Sequence, residues 1–156
     1  MPKGQVKHLK YNYRSESTLH FYEFVSEGPK GLIKKVVIYT ETTIENVYNL
    51  GFGDYDESTN GINDLSVTNN GDSLKILATV ASTVYAFTEK YPNAWILATG
   101  STAVRTRLYR MGITNNLAEI ETDFIVLGYT KNEEWEKFLV GEDYEAFLFT
   151  KKENKN

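Results

Sequence analysis

Alternation of apolar and polar positions dominates the first third of the chain. In TLHFYEFVS (18–26), Leu19, Phe21, Glu23 and Val25 fall on one side and His20, Tyr22 and Phe24 on the other. This two-residue period predicts a half-buried strand. KHLKYNYR (7–14), LIKKVVIYTET (32–42) and NVYNLGFGD (46–54) read as three more strands, the glycines of the last suggesting a bulge or a close backbone approach. EGPKG (27–31) is a turn in which Gly28 and Gly31 permit positive φ and Pro29 fixes its own. YDESTNGIND (55–64) is a polar loop, and LSVT (65–68) a short strand.

The period then changes. From Ser73 to Tyr91, Leu77, Val80, Ala81, Val84, Phe87 and Tyr91 recur at three- and four-residue intervals, which predicts a helix with one buried face. Asp72 is its expected N-cap and Pro92 its stop. AWILATG (94–100) reads as a buried central strand. A second helix is expected over 101–111, capped by Ser101 or Thr102, striped by Val104, Leu108 and Met111, and closed by Gly112. DFIVLGYT (123–130) and DYEAFLFTKK (143–152) predict strands. NEEWEKFLV (132–140) predicts a short helix with Trp135, Phe138 and Leu139 inward, and ENKN (153–156) a frayed tail. Strands first, a long helix, then a mixed second half define one α+β domain over 1–152, with five or more mostly antiparallel strands.

Composition narrows the setting. Hydrophobic residues make up 41% of 156, enough for one real core, and no apolar run approaches the ~20 residues that span a bilayer. The N-terminus has no apolar segment of the secretory kind, and there is no cysteine, so a soluble, cytoplasmic protein is expected, as monomer or dimer. A net charge of −4 argues against coating nucleic acid by bulk charge. The charge is uneven, however. Residues 1–35 hold seven Lys/Arg and three Asp/Glu, residues 41–72 seven Asp/Glu and no Lys/Arg, and residues 100–112 three Arg and no acid.

The last of these stretches carries the most specific chemistry. In GSTAVRTRLYR, a strand ends in glycine, two hydroxyls follow, and a helix begins. Unpaired N–H groups and a partial positive charge make such a start an anion site. Gly100, Ser101, Thr102, Arg105, Arg107 and Arg110 are its candidate residues, because the planar guanidinium binds oxyanions in bidentate fashion. The competing reading makes the arginines structural partners of acids such as Asp54 or Asp64. The spacing is not that of a P-loop. Asp54 or Asp72 is a candidate base if the site is catalytic.

A second candidate set is Tyr11, Tyr13, Arg14, Tyr22, Lys34, Lys35 and Tyr39, which on an open sheet would stack bases and hold phosphates. The competing reading is that aromatic residues simply cover an antiparallel sheet. His8 and His20 are the only histidines. They make a weak metal pair, and Asp54, Asp56, Glu57 and Asp64 read as a solvated loop rather than a cation site. No metal and no cofactor is expected.

YNLGFGD (48–54), NNGDSLKILATV (69–80), TGSTAVRTRLYRMGI (99–113) and WEKFLVGEDYEAFLFTKK (135–152) together resemble a family of small bacterial proteins of unknown function, frequent in Bacteroidota. The resemblance implies a bacterial single-domain protein and no particular activity. The order of elements is also similar in outline to the Whirly and Pur-type single-stranded nucleic-acid-binding domains. Two functional classes follow from the residues. One is a non-enzymatic binding or regulatory protein for single-stranded nucleic acid or a protein partner. The other is a small enzyme or ligand-binding protein that acts on a phosphorylated molecule through the Gly-Ser-Thr/Arg segment.

Overall fold

Strands β1 (Arg14–Ser15), β2 (Phe21–Gly28), β3 (Gly31–Glu41) and β4 (Val47–Asp56) run as an antiparallel meander in the computed structural model, which describes residues 9–63, 69–100 and 102–152. The two-residue β5 (Gly61–Ile62) folds back on the end of β4. Helix α1 (Ser73–Lys90) carries the chain across to β6 (Trp95–Thr99), which lies parallel to β4. A parallel neighbour needs a crossover of this kind, and an 18-residue helix supplies it. Helices α2 (Ala103–Asn115) and α3 (Leu117–Asp123) follow, then β7 (Phe124–Tyr129), β8 (Trp135–Lys137) and β9 (Ala146–Lys151). The strand order is β1-β2-β3-β4-β6-β9-β7-β8, with β5 beside β4. The expected α+β class and mostly antiparallel sheet are present. Among the described residues no helix is long and apolar enough to cross a membrane.

All three helices lie on one face. Tyr22 and Phe24 of β2, Val37 and Tyr39 of β3, Leu50 and Phe52 of β4, Ile96 and Ala98 of β6, and Phe147 and Phe149 of β9 point into them and are buried. Phe87 of α1 stacks flat on Tyr39, centroids 4.2 Å apart, and the Tyr39 hydroxyl and Thr83 share a hydrogen bond of 2.9 Å. α1 thus covers the aromatic rows of the meander, as its periodicity requires.

Four local expectations change. Of the described residues 9–14, only Arg14 pairs with β2; the Tyr11 N–H instead donates to the Thr79 hydroxyl of α1 at 2.8 Å, so the chain leaves the sheet to lie against the helix. The segment 132–140 is a hairpin turn and strand, not a helix. Of the three residues expected inward only Phe138 is buried, with Trp135 42% and Leu139 52% exposed, too little to hold a helix to the core. Glu136 and Lys137 instead complete a ladder with β7. Gly112 does not end the second helix; it lets α2 cross α1 closely, since a Cβ there would stand 3.1 Å from Leu77. Gly28 has no positive φ, unlike Gly31 at +92°; a Cβ at Gly28 would stand 2.0 Å from the Asn70 carbonyl oxygen. The strand expected over 65–68 and the tail 153–156 lie outside the described residues.

The buried face of α2 also differs. Val104 is exposed, and the face turned to the core is Arg105, Tyr109, Gly112 and Ile113. The spacing is helical, but two of the four residues are not apolar, so the hydrophobic stripe alone could not reveal it. Asp72 occupies the N-cap position of α1 without capping it. Its carboxylate accepts from the Tyr11 hydroxyl at 2.5 Å and the Ser26 hydroxyl at 2.6 Å, joining the N-terminal segment, β2 and α1.

Candidate functional site

Where β6 ends, the chain turns sharply into α2. A Cβ at Gly100 would stand 2.4 Å from the Thr106 amide nitrogen and 2.9 Å from the Arg105 carbonyl carbon. The glycine therefore allows helix and strand to touch backbone to backbone. Thr102 caps the helix: its hydroxyl accepts from the Arg105 N–H at 3.2 Å. Ser101 lies outside the described residues. The N–H groups of Ala103 and Val104 precede the first intrahelical bond, and the first turn carries no acid. Because the obstruction is backbone, Gly100→Ala is expected to cost about 3 kcal/mol. Urea unfolding measures it, and a loss under about 1 kcal/mol would mean that the turn is pliable.

The three arginines part company here. Arg105 is 5% exposed, and its guanidinium donates to the Asn63 carbonyl at 2.5 Å. It stands 2.8 Å from where a Cβ at Gly53 would sit. Arg105 fastens α2 to the β4–β5 hairpin, so it leaves the anion set and takes the structural role. Arg107 and Arg110 face an open cleft of about 660 Å³ between α2 and the 139–145 loop, bordered also by Gly100, Thr102, Thr106, Lys131, Asp143 and Glu145. Arg110 pairs with Asp143 at 3.3 Å, and Lys131 with the same carboxylate at 3.0 Å. The Lys131 hydrogen bond and charge, with Arg110 behind them, pull the Asp143 carboxyl below its usual range. Arg107 is exposed and makes no ion pair or side-chain hydrogen bond among the described residues. Burial, then a hydrogen bond to Glu136, pushes the Tyr144 hydroxyl at the cleft wall up to about 12.

Lys131, in the turn between β7 and β8, and Asp143 and Glu145, in the loop before β9, come to this cleft because the start of β9 pairs with the end of β6, Ala146 beside Thr99. No spacing in the sequence links them to the GST segment, which is why pattern reading missed them.

The tyrosine set does not form a sheet surface. Tyr11, Tyr22, Lys35 and Tyr39 are buried. Lys35 is fully enclosed and paired with Asp54, directly opposite it on β4. Tyr13 is half-buried, its ring edge-on to Tyr22 at 5.1 Å. Arg14 and Lys34 do reach solvent and, with Lys10, Lys75, Glu23 and Glu27, border a groove of about 550 Å³. Lys34 is tied to Glu23 at 2.8 Å, and Lys75 sits over the Tyr11 ring. The correction has a simple cause: successive strand residues face opposite ways, and α1 covers the side that carries Tyr22, Lys35 and Tyr39.

The remaining candidates disperse. His20 packs against Phe87, Tyr48 and Tyr91, and His8 lies outside the described residues. Asp56 accepts from the Ser58 hydroxyl and N–H within its own turn, which lowers its carboxyl's pKa. Glu57 is exposed, and Asp64 is outside the described residues. Among the described residues no group of three or more His, Asp or Glu is placed to hold a metal ion.

Fold and cleft together define an α+β protein with a mixed sheet, helices on one face, and a cationic cleft at the start of its second helix. A family model described as a family of unknown function (DUF6934) matches residues 7–152, and the chain belongs to that family. Comparison with curated proteins and with solved structures finds no match, so the likeness to Whirly and Pur-type domains rests on element order alone.

Proposed function

We infer that the protein binds an anionic ligand, carrying a phosphate or carboxylate, in the cleft between α2 and the 139–145 loop. One observation carries this reading: Arg107, Arg110 and Lys131 line one open cleft together with Gly100, Thr102 and Ala103 at the start of α2. Of the two cleft arginines, Arg107 makes no ion pair or side-chain hydrogen bond among the described residues, and an incoming oxyanion would compete with Asp143 for Arg110. The acid that holds Arg110 and Lys131 also keeps them oriented while the cleft is empty.

Phosphate is expected to raise the melting temperature more than chloride at matched ionic strength, because a ligand of the native state stabilises by mass action. Sulfate and phosphate also stabilise proteins generally by exclusion. The measurement is therefore the difference between the parent and Arg107→Gln/Arg110→Gln, which should lose the specific increment and keep the general one. In a phosphate titration followed by NMR, the Ala103 and Val104 amides should move first. An increment unchanged by the double substitution would overturn the reading.

A second reading has its own support. Lys10, Arg14, Lys34 and Lys75 border one groove, and a single-stranded nucleic acid would lie there by its phosphates alone, since Tyr22 and Tyr39 are buried. Anisotropy of a labelled oligonucleotide tests it: binding should weaken steeply with salt and with Arg14→Gln.

A further inference from the structure

We propose that the ligand of the α2 cleft is a zwitterion, an oxyanion that also carries a primary ammonium group, and that Glu145 is the residue that selects the ammonium. The inference rests on the anion site proposed above and names its ligand class. Five charged side chains border the cleft: Arg107, Arg110 and Lys131 against Asp143 and Glu145. Their pairing is incomplete in both signs. Asp143 is engaged on both oxygens, one taking Arg110 at 3.3 Å and the other Lys131 at 3.0 Å. Arg110 is held further by the Glu142 carbonyl at 3.4 Å. Arg107 and Glu145 are left over. Both are exposed, and neither makes an ion pair or a side-chain hydrogen bond among the described residues. A guanidinium and a carboxylate that border one cleft without meeting leave a gap that a ligand of both signs can bridge.

The backbone fixes where the acid stands. Thr99 of β6 pairs with Ala146 of β9, and the next step of that register sets Gly100 against Glu145. The Glu145 N–H is tied to the Tyr129 carbonyl at 2.8 Å. Its neighbours Tyr144 and Ala146 are buried, so by strand alternation Glu145 is the residue of the three that faces solvent. On α2, Ala103, Arg107 and Arg110 follow at four- and three-residue intervals and share one helix face. The free carboxylate is thus anchored beside the helix start, and the free guanidinium stands one turn along.

Charge and size then point to the ligand. A carboxylate at that place opposes a bare anion and attracts a cation. A phosphate monoester brings nearly two negative charges at neutral pH, so with it bound the three cations would face about four negative charges. One ammonium on the ligand restores the balance, which favours a phosphorylated amine over a simple phosphate. The cleft's volume of about 660 Å³ falls within the roughly 300–1,000 Å³ of small-molecule sites, far more than an oxyanion alone fills.

NMR titration with matched probes tests it. O-phosphoethanolamine is compared with ethyl phosphate, and 4-aminobutyrate with butyrate; each pair differs by the ammonium, and the pair with the larger ratio identifies the anion as phosphate or carboxylate. The parent is expected to bind the aminated probe roughly fivefold more tightly than its partner, the upper end of what a solvated ion pair gives. Glu145→Gln should erase that ratio and leave ethyl phosphate bound as tightly as in the parent or more so. Glu145→Asp, which keeps the charge, should retain part of the preference. Aminated and plain probes that bind the parent equally overturn this inference and leave the anion site standing. A preference that survives Glu145→Gln overturns it as well. If none of the four probes binds, the anion site falls with it.

Discussion

Between about pH 10 and pH 12 the protein is expected to unfold in one cooperative step, because tyrosines that ionise freely in the unfolded chain are held neutral in the fold. Burial is the first cause in each case. It raises the Tyr39 hydroxyl well above its ordinary value, raises Tyr22 and Tyr85 strongly, and brings Tyr109 up to about 12. The direction is fixed by proton counts. Above pH 10 the unfolded state has released protons that the native state still holds. The stability these groups contribute is fully present below pH 10 and is lost as pH rises toward their folded values. Each tyrosine contributes a slope of about 1.4 kcal/mol per pH unit. Tyr22, Tyr39 and Tyr109, all deeply buried, together make about 4 kcal/mol per unit, enough to exhaust a typical domain's stability of roughly 5–15 kcal/mol within two or three units. Tyrosinate absorbance and far-UV circular dichroism should change together. Tyrosines titrating near their ordinary value while the dichroism holds would contradict the burial. Tyr22→Phe is the sharpest control. Its hydroxyl is buried with no hydrogen-bond partner among the described residues, so removing it should cost nothing at neutral pH and move the alkaline midpoint upward.

The other large effect lies one residue from a small one. Lys35→Met is expected to lower stability by about 3–5 kcal/mol, because it leaves Asp54 in a mostly buried site without its ammonium. Lys34→Met should change it little: Lys34 is at the surface, and its bond to Glu23 is solvated. Urea unfolding of both variants makes the comparison directly. Equal losses, or a Lys35→Met variant as stable as the parent, would refute the buried pair. The buried ammonium lies under the starts of α1 and α2, beside Phe52, Asn70 and Ser73. Its loss should therefore be felt in both helices, and amide exchange there should quicken with the fall in stability.

These adjacent lysines mark the boundary between what the residues declare and what the assembled chain settles. The period of two in β2 and β3, the three- and four-residue spacing of α1 and the strand before Gly100 were legible because each is a local relation between a residue and its near neighbours. The N-cap of α2 and the close approach at Gly100 are local in the same way. Hydrophobic spacing could not say which of Lys34 and Lys35 is enclosed, since the answer depends on which face α1 covers. It could not place Arg105 at the core, because a buried arginine and a glycine do not register as an apolar stripe. It missed the strand at Trp135–Lys137, whose pairing partner lies in β7 and whose ladder, rather than its own periodicity, fixes its form. Local spacing alone makes this an α+β chain with a glycine-led turn into a basic helix. That Arg107 and Arg110 share a cleft with Lys131 while Arg105 does not, and that Tyr11, Tyr22 and Tyr39 are core, follows from contacts between segments far apart along the chain.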